Sequence, residues 1–236
     1  MVSPGMRRYR TRTADQASLV GPEGTDQIDL AALFGTDAPP QIRLEIGFGH
    51  GEFLSDLAAV HPDEHFVGVE YDRLRVTKTA HKCLKSHATN VRLFADEAYR
   101  FVARRLPDAC CRRIYILFPD PWPKLAHRRR RLVNLAFLRE ISRIAAPGCR
   151  FGFSSDTHGY ACQVATNLSL LPGLWRSLWP ELLRIDVPNR FPTVFERHKR
   201  EEGCTIAQLR LERTALPLPP RIEPPAVADL PDDGDA

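Results

Sequence analysis

The sequence predicts an α/β domain built on a mostly parallel sheet with helices on both faces. Three observations carry that expectation. Five short apolar runs with strand character recur along the chain, helical stretches of about 10 to 15 residues separate most of them, and the first run opens directly into a glycine-rich turn.

The elements follow in order. Residues 1–40 hold the basic cluster Arg7, Arg8, Arg10 and Arg12, turn formers, a Pro39-Pro40 step and little periodicity, which reads as an arm. At Gln41 the pattern changes. IRLEI (42–46) is a strand that runs into GFGHG, and EFLSDLAAV (52–60) then has helical spacing. FVGVE (66–70) is the second strand, followed by a polar helix through about Ser86. VRLF (91–94) and IYILF (114–118) are further strands, with a helical stretch over 97–105 between them. LVNLAFLREISRIA (132–145) repeats apolar residues at helical spacing until Pro147-Gly148 stops it, and RFGFSS (150–155) is a fifth strand. LLRIDV (182–187) and TIAQLRLER (205–213) read as late strands paired at one edge. The remainder, LPLPPRIEPPAVADLPDDGDA, is proline-rich, ends acidic and is expected to be disordered. The expected division is an arm over 1–40, a domain over 41–214 and a tail over 215–236.

Composition bounds the function. With 236 residues, 43% hydrophobic and 26% charged, the chain suits one globular domain. No apolar run approaches the roughly 18 residues of a membrane span, and the start MVSPGMRRYRTRT lacks the apolar segment of a secretory signal, so a cytoplasmic location is expected. The six cysteines, at 83, 110, 111, 149, 162 and 204, form no CxxC pair, so reduced thiols are expected rather than a metal site. The net charge is only +4, but it is unevenly spread. Arg7 to Arg12 hold one basic cluster, and Lys124 with Arg128, Arg129, Arg130 and Arg131 another. Such clustering suits a polyanionic partner, and the ordinary alternative is a solvated basic face.

Four stretches carry candidate chemistry. EIGFGHGEF (45–53) places glycines on alternate positions after a strand, so a ligand can approach backbone without meeting a Cβ. GxGxG departs from the dinucleotide pattern GxGxxG, and the acid Glu45 precedes it; the alternative is a plain glycine-rich turn. Glu70 ends the second strand about 20 residues on, where an acid accepts hydrogen bonds from ribose hydroxyls or else caps the next helix. Asp96 and Glu97 end the third strand, and spacing does not separate a ligand contact by one or the other from a helix-start acid. In FPDPWPK (118–124), Pro119, Pro121 and Pro123 fix φ and hold Asp120 in a stiff loop at the carboxyl edge of the sheet. Trp122 offers a stacking face or a lid, and the cations behind it suit phosphates.

Together EIGFGHGEF, FVGVE, FPDPWPK with the trailing His127 and arginines, SSD (154–156) and TVFE (193–196) resemble the bacterial tRNA (guanine-N7-)-methyltransferase family, in order over roughly 41–213. The resemblance implies a Rossmann-like class I S-adenosylmethionine-dependent methyltransferase fold. S-adenosyl-L-methionine is the implied cofactor and tRNA the implied partner, with methyl transfer to guanine N7, in the family the variable-loop guanine at position 46. It places Glu45, Gly47, Gly49, Glu70, Glu97 and Asp120 at the methyl donor, with Asp120 as the catalytic acid. Lys124, Asp156, Thr193, Val194, Phe195 and Glu196 are implied to bind the substrate, and His127, Arg128, Arg129, Arg130 and Arg131 to contact RNA. The basic arm also resembles the family's. The chain departs from it with Glu97 in place of an aspartate and Ala126 in place of an arginine. No metal and no membrane are expected, and a monomer or homodimer is.

Guanine N7 carries a free in-plane lone pair, so catalysis reduces to positioning and electrostatics. Asp120 either stabilises the charge that develops on the ring or accepts from guanine N1–H and N2–H2, and the sequence leaves both roles open. The target base is expected to leave its stack. Two other readings stand beside this one. An amino-group nucleic-acid methyltransferase is faintly resembled by Asp120-Pro121-Trp122, but the basic run is then unexplained. A noncatalytic RNA-binding subunit with the same fold has no use for the intact glycine loop and its acids.

Overall fold

A computed structural model describes residues 14–189 and 191–217. The arginines at 7, 8, 10 and 12 and the end of the tail lie outside them. Five strands run parallel: β1 (Ile42–Ile46), β2 (His65–Glu70), β3 (Val91–Ala95), β4 (Cys111–Leu117) and β5 (Ala145–Ser155). β6 (Trp175–Ser177), β7 (Arg184–Ile185) and β8 (Ala207–Arg213) complete one sheet, in the order β3-β2-β1-β4-β5-β8-β6 with β7 also on β8. β8 is antiparallel to β5, β6 and β7. The parallel, mostly α/β architecture expected from the alternating runs is present.

Helices cover both faces, and their starts follow from capping chemistry. α1 (Ala14–Ser18) and α2 (Leu30–Phe34) precede the sheet, and Asp29 caps α2 by accepting from Ala31 and Ala32 N–H. α3 (Glu52–Ala59) follows the glycine turn, and α4 (Arg73–Lys85) is capped by Asp72. The expected helix over 97–105 divides into α5 (Ala98–Arg100), capped by Glu97, and a π turn over Phe101–Arg105. Arg143 lies against that turn. Only 1% exposed, it donates to Val102 and Leu106 carbonyls and pairs with Glu140 and Asp108, so its charge is compensated on every side.

α6 (Leu135–Ile144) is capped by Asn134, and α7 (His158–Ser169) and α8 (Val194–Glu201) complete the set. Neither α7 nor α8 was legible as a helix, since HGYACQVATNLS and VFERHKRE show only broken apolar spacing. β6 is too short for a pattern, and the expected strand over 182–187 shortens to β7. The segment before β1 packs onto the domain. Leu19, Ile28 and Leu30 are buried, and Val20 bridges Leu93 on the outer edge of β3.

The core lies on the two sides of the sheet. Leu44, Ile114, Phe137, Phe151 and Leu209 belong to one cluster, and Phe48, Leu54, Phe66, Val76 and Leu93 to the other. All six cysteines are free thiols, and none of the described helices is long and apolar enough to cross a membrane.

The second cluster meets β2 at Gly68, where close packing leaves no room. A Cβ there would lie 2.5 Å from Leu54 Cδ2 and 2.7 Å from Phe48 Cδ1. Gly68→Ala is therefore expected to cost about 1–3 kcal/mol. Thermal melting should fall by roughly 2–4 °C for each of those. Gly152→Ala on β5, whose Cβ meets nothing closer than 3.8 Å, is the control and should melt with the wild type.

Candidate active site

A cavity of about 720 Å³ opens at the carboxyl ends of β1, β2, β3 and β4, walled by the loop that follows each strand and by the start of α8. The glycine turn forms its floor. Gly47 and Gly49 have φ of +71° and +55°, a left-handed backbone, and a Cβ on either would meet nothing within 4 Å. The space beside them is thus open for a ligand. Gly51 differs: its Cβ would collide with Thr79 at 2.2 Å, so it is small because α4 is close.

Glu45 sits under this floor at the end of β1. It is 2% exposed, Oε2 has no partner, and burial together with the nearby Glu52 and Glu70 pushes its pKa up to about 8. A buried carboxyl with an unused oxygen, raised by like charge, favours a positively charged neighbour. Glu52 itself is paired with Lys82, which also donates to the His50 carbonyl.

Glu70 ends β2 and ties two loops together. Oε2 accepts from Gly49 N–H at 2.9 Å and Oε1 from Asp72 N–H at 3.1 Å. Each oxygen keeps a second lone pair, so the carboxylate still accepts from a ligand. The spacing had left Asp96 and Glu97 equivalent. Both line the cavity, and both are engaged. Asp96 is buried and pairs with Arg100 and Arg105, while Glu97 accepts from Tyr99 and Arg100 N–H as a helix cap.

The proline loop after β4 supplies the far wall. Phe118 and Trp122, on either side of Asp120, have φ of +53° and +38°, a left-handed backbone that costs non-glycine residues about 1–3 kcal/mol each. Asp120 is exposed to the cavity it lines and makes no hydrogen bond or ion pair among the described residues. Phe118 packs on Phe195 at 5.0 Å between ring centres, and the Arg130 guanidinium lies 5.2 Å from the Trp122 ring centre. Thr193, Val194 and Phe195 close the cavity from α8.

The basic run departs from its expectation at one member. Lys124, Arg128, Arg129 and Arg130 are exposed around the 3₁₀ turn Leu125–Arg130, and His127 stands edge-on to Trp122 at 5.9 Å. Arg131 points inward. It is 2% exposed, donates to the Pro121 carbonyl at 2.8 Å and to Gln163 at 2.7 Å, and lies 4.7 Å from the Tyr160 ring centre. Its place is structural, for it holds the strained loop to α7.

Besides Lys124, two expected substrate residues sit away from the cavity. Glu196 is 1% exposed, bonded to Asn189 and Arg200. Asp156 lies 4.0 Å from Lys199. The cavity adds two charged residues the sequence reading missed, Glu52 after the glycine turn and Arg75. Arg75, on the first turn of α4, is 3.9 Å from Glu70. Its signal was the Asp72 cap, which sets Arg75 three residues into the helix on the side of Glu70.

A family model described as "Putative methyltransferase" matches residues 40–209. The tRNA (guanine-N(7)-)-methyltransferase of Hydrogenovibrio crunogenus is 33% identical over 79% of this chain and 77% of its own length. That of Geobacter metallireducens is 33% identical over 79% of this chain and 88% of its own. Among solved structures, the 16S rRNA (adenine(1408)-N(1))-methyltransferase from Catenulisporales acidiphilia superposes with a TM-score of 0.53 at 21% identity, over 75% of this chain and 89% of that one, which speaks to the fold.

The position of Glu45 has a pH consequence. Because folding raises its pKa from the ordinary 4.5 to about 8, the folded protein holds a proton that the unfolded chain has lost between those values. Stability from this group therefore falls as pH rises across that window. Glu45→Gln, which cannot ionise, should flatten the fall. Relative to wild type, the variant should gain at least about 2 kcal/mol on going from pH 5 to pH 8, read by urea unfolding at both pH values. Parallel pH profiles would remove the group from this role.

Proposed function

The chain belongs to the tRNA (guanine-N7-)-methyltransferase family, and from that premise we propose how its own residues perform the reaction. It is an S-adenosylmethionine-dependent enzyme that methylates guanine N7 in tRNA. The single observation that carries the residue assignment is the shared cavity: an unpartnered buried carboxyl, an open glycine floor and a free carboxylate on a rigid loop face one space.

The residues present fit S-adenosylmethionine. Glu45, with Oε2 unpartnered, suits its positive charge; Gly47 and Gly49 leave room for its close approach, and Glu70 retains lone pairs for its ribose hydroxyls. Glu97 keeps its place at the cavity wall although its oxygens already cap α5, so its contact is a further acceptance by a carboxylate in use. When bound, the cofactor supplies an electrophilic methyl group on a positively charged sulfur.

Asp120 acts on the guanine. N7 needs no base to free its lone pair, but the ring becomes cationic as the methyl arrives. A carboxylate without a protein partner, fixed by proline and by Arg131, is preorganised to stabilise that charge. It also accepts from the N1–H and N2–H2 edge, which selects guanine over adenine. The hydrophobic pair Phe118–Phe195 and Trp122 flank the place where an unstacked base enters. Thr193 and Val194 shape that entrance, with Glu196 bracing α8 from beneath.

At the cavity mouth, Arg130 with Lys124, Arg128 and Arg129 beyond it forms the cationic rim for the tRNA backbone, with His127 beside them and Asp156 facing Lys199 at the neighbouring edge. The guanine of the variable loop is the expected target, in the cytoplasm where tRNA is processed.

Asp120→Ala should reduce turnover at saturating substrates by at least about a hundredfold, as removal of an electrostatic stabiliser does. Donor and tRNA binding should remain measurable. The assay is transfer of labelled methyl to tRNA followed by mapping of the modified base. Wild-type protein that leaves no N7-methylguanine would sink the function, and a variant with wild-type turnover would sink the residue.

The two kinds of arginine in the run predict opposite phenotypes. Lys124→Ala, Arg128→Ala and Arg129→Ala should each flatten the plot of log tRNA affinity against log salt by about 0.7 to 0.9, with melting unchanged. Arg131→Ala should lower the melting temperature and leave that slope alone. Parallel salt plots for the exposed cations would place the tRNA elsewhere.

A further inference from the structure

One face of the sheet carries a second cleft that the reaction does not use. On β4, β5 and β8 the residues Ile114, Ile116, Phe151, Phe153, Leu209 and Leu211 turn into the core. Their neighbours turn the other way, onto a cleft of about 320 Å³, within the size range of small-ligand sites. The strand register sets them side by side: Arg113 is opposite Arg150, Tyr115 opposite Gly152, and Gly152 opposite Arg210. α3 closes one side with Phe53 and Leu57, while Asn189 and Phe191 form the rim.

Two features of this cleft have no structural explanation. Neither Arg113 nor Arg150 forms an ion pair among the described residues, although both line it; Glu212, opposite Arg150 on β8, is taken by Arg176. Gln208, also in its lining, is 1% exposed with neither amide atom hydrogen-bonded. A buried primary amide offers a donor and an acceptor side by side, and leaving both unmet costs the desolvation of each. That edge matches a nucleobase, as glutamine pairs with adenine elsewhere. Aromatic residues stand around it, and cations stand at its mouth.

We propose that this cleft is a second nucleotide pocket that holds an unstacked nucleotide of the RNA substrate. Its phosphate lies against Arg113 and Arg150, its base against Phe53, Tyr115 and Phe191, and its edge at Gln208. The proposal rests on the tRNA reading of the catalytic cavity, and Phe53 and Leu117 line both spaces. A nucleotide close to the methylated guanine along the strand can therefore reach it. The acidic tail is the competing occupant, and the chain's direction disfavours it. After β8, Leu216 and Pro217 accept hydrogen bonds from Arg213, whose guanidinium also reaches the Ser142 carbonyl of α6 on the opposite face of the sheet.

The test compares the full-length Arg113→Ala/Arg150→Ala double variant with Gly152→Leu, which fills the cleft and keeps every cation. The double variant should raise KM for tRNA about tenfold or more and flatten the salt slope by about 1.4 to 1.8, two phosphate contacts' worth. Gly152→Leu should raise KM several-fold with the slope unchanged. Both should keep wild-type donor affinity and wild-type kcat at saturating tRNA. An unchanged KM and slope in the double variant overturns the proposal. So does an effect confined to the double variant, which would describe a diffuse cationic face. Tighter tRNA binding in the double variant overturns it too, and hands the cleft to the acidic tail. Wild-type methylation of the same tRNA is the control: its absence defeats the enzymatic reading, while the cleft is judged by the variants' binding slopes.

Discussion

A cavity-wall carboxylate without partners needs a loop that cannot relax around it, and here one buried guanidinium supplies that constraint. Arg131 takes the Pro121 carbonyl, Gln163 and the face of Tyr160 together. Two strained residues and three prolines would otherwise leave Asp120 on a stiff but unanchored segment. Tyr160 is held in turn, its hydroxyl accepting from Val133 N–H and its pKa pushed up to about 12, mainly by burial, so it stays neutral beneath the arginine. The strain and the anchor are two halves of one device: α7 holds the loop, and the loop holds the acid outward.

Around that loop, charge is sorted by depth. Carboxylates occupy the floor and walls of the cavity, which suits a cationic ligand, and cations occupy the rim, which suits a polyanion. Arg75 and Arg130 stand at the boundary, the first beside Glu70 and the second against Trp122. The separation keeps each partner from competing for the other's site, because an RNA phosphate meets like charge as soon as it moves inward.

The sequence made some of this legible and hid the rest for identifiable reasons. β1 matched IRLEI residue for residue, and β2 and β3 came within a residue, because apolar residues recur at strand spacing in each and polar or turn-forming residues bound them. The cavity residues Glu45, Glu70 and Asp120 followed from strand ends, which place side chains where this topology keeps ligands. Arg131 was indistinguishable from its three neighbours, since its burial depends on Gln163 and Tyr160, and both lie on a helix that the pattern did not reveal. Glu196 misled in the same way: only Asn189 and Arg200, folded over it, turn it from solvent. Asp96 and Glu97 differ through Arg105, nine residues on, at a π turn that no periodicity announces.

The strand order has a consequence for how the chain is made. The outer edge of β3 is covered at Val20 by a segment translated long before it, so that edge is bridged as soon as it forms. The opposite half waits. β8, within the last 30 residues of the 236, lies between β5 and both β6 and β7, and neither of those has another neighbour in the sheet. During synthesis the face and edge of β5 thus stay open until the final strand leaves the ribosome. A message truncated before Ala207 would yield a protein with its five parallel strands intact and a sticky, unfinished flank, a substrate for quality control rather than a weaker enzyme.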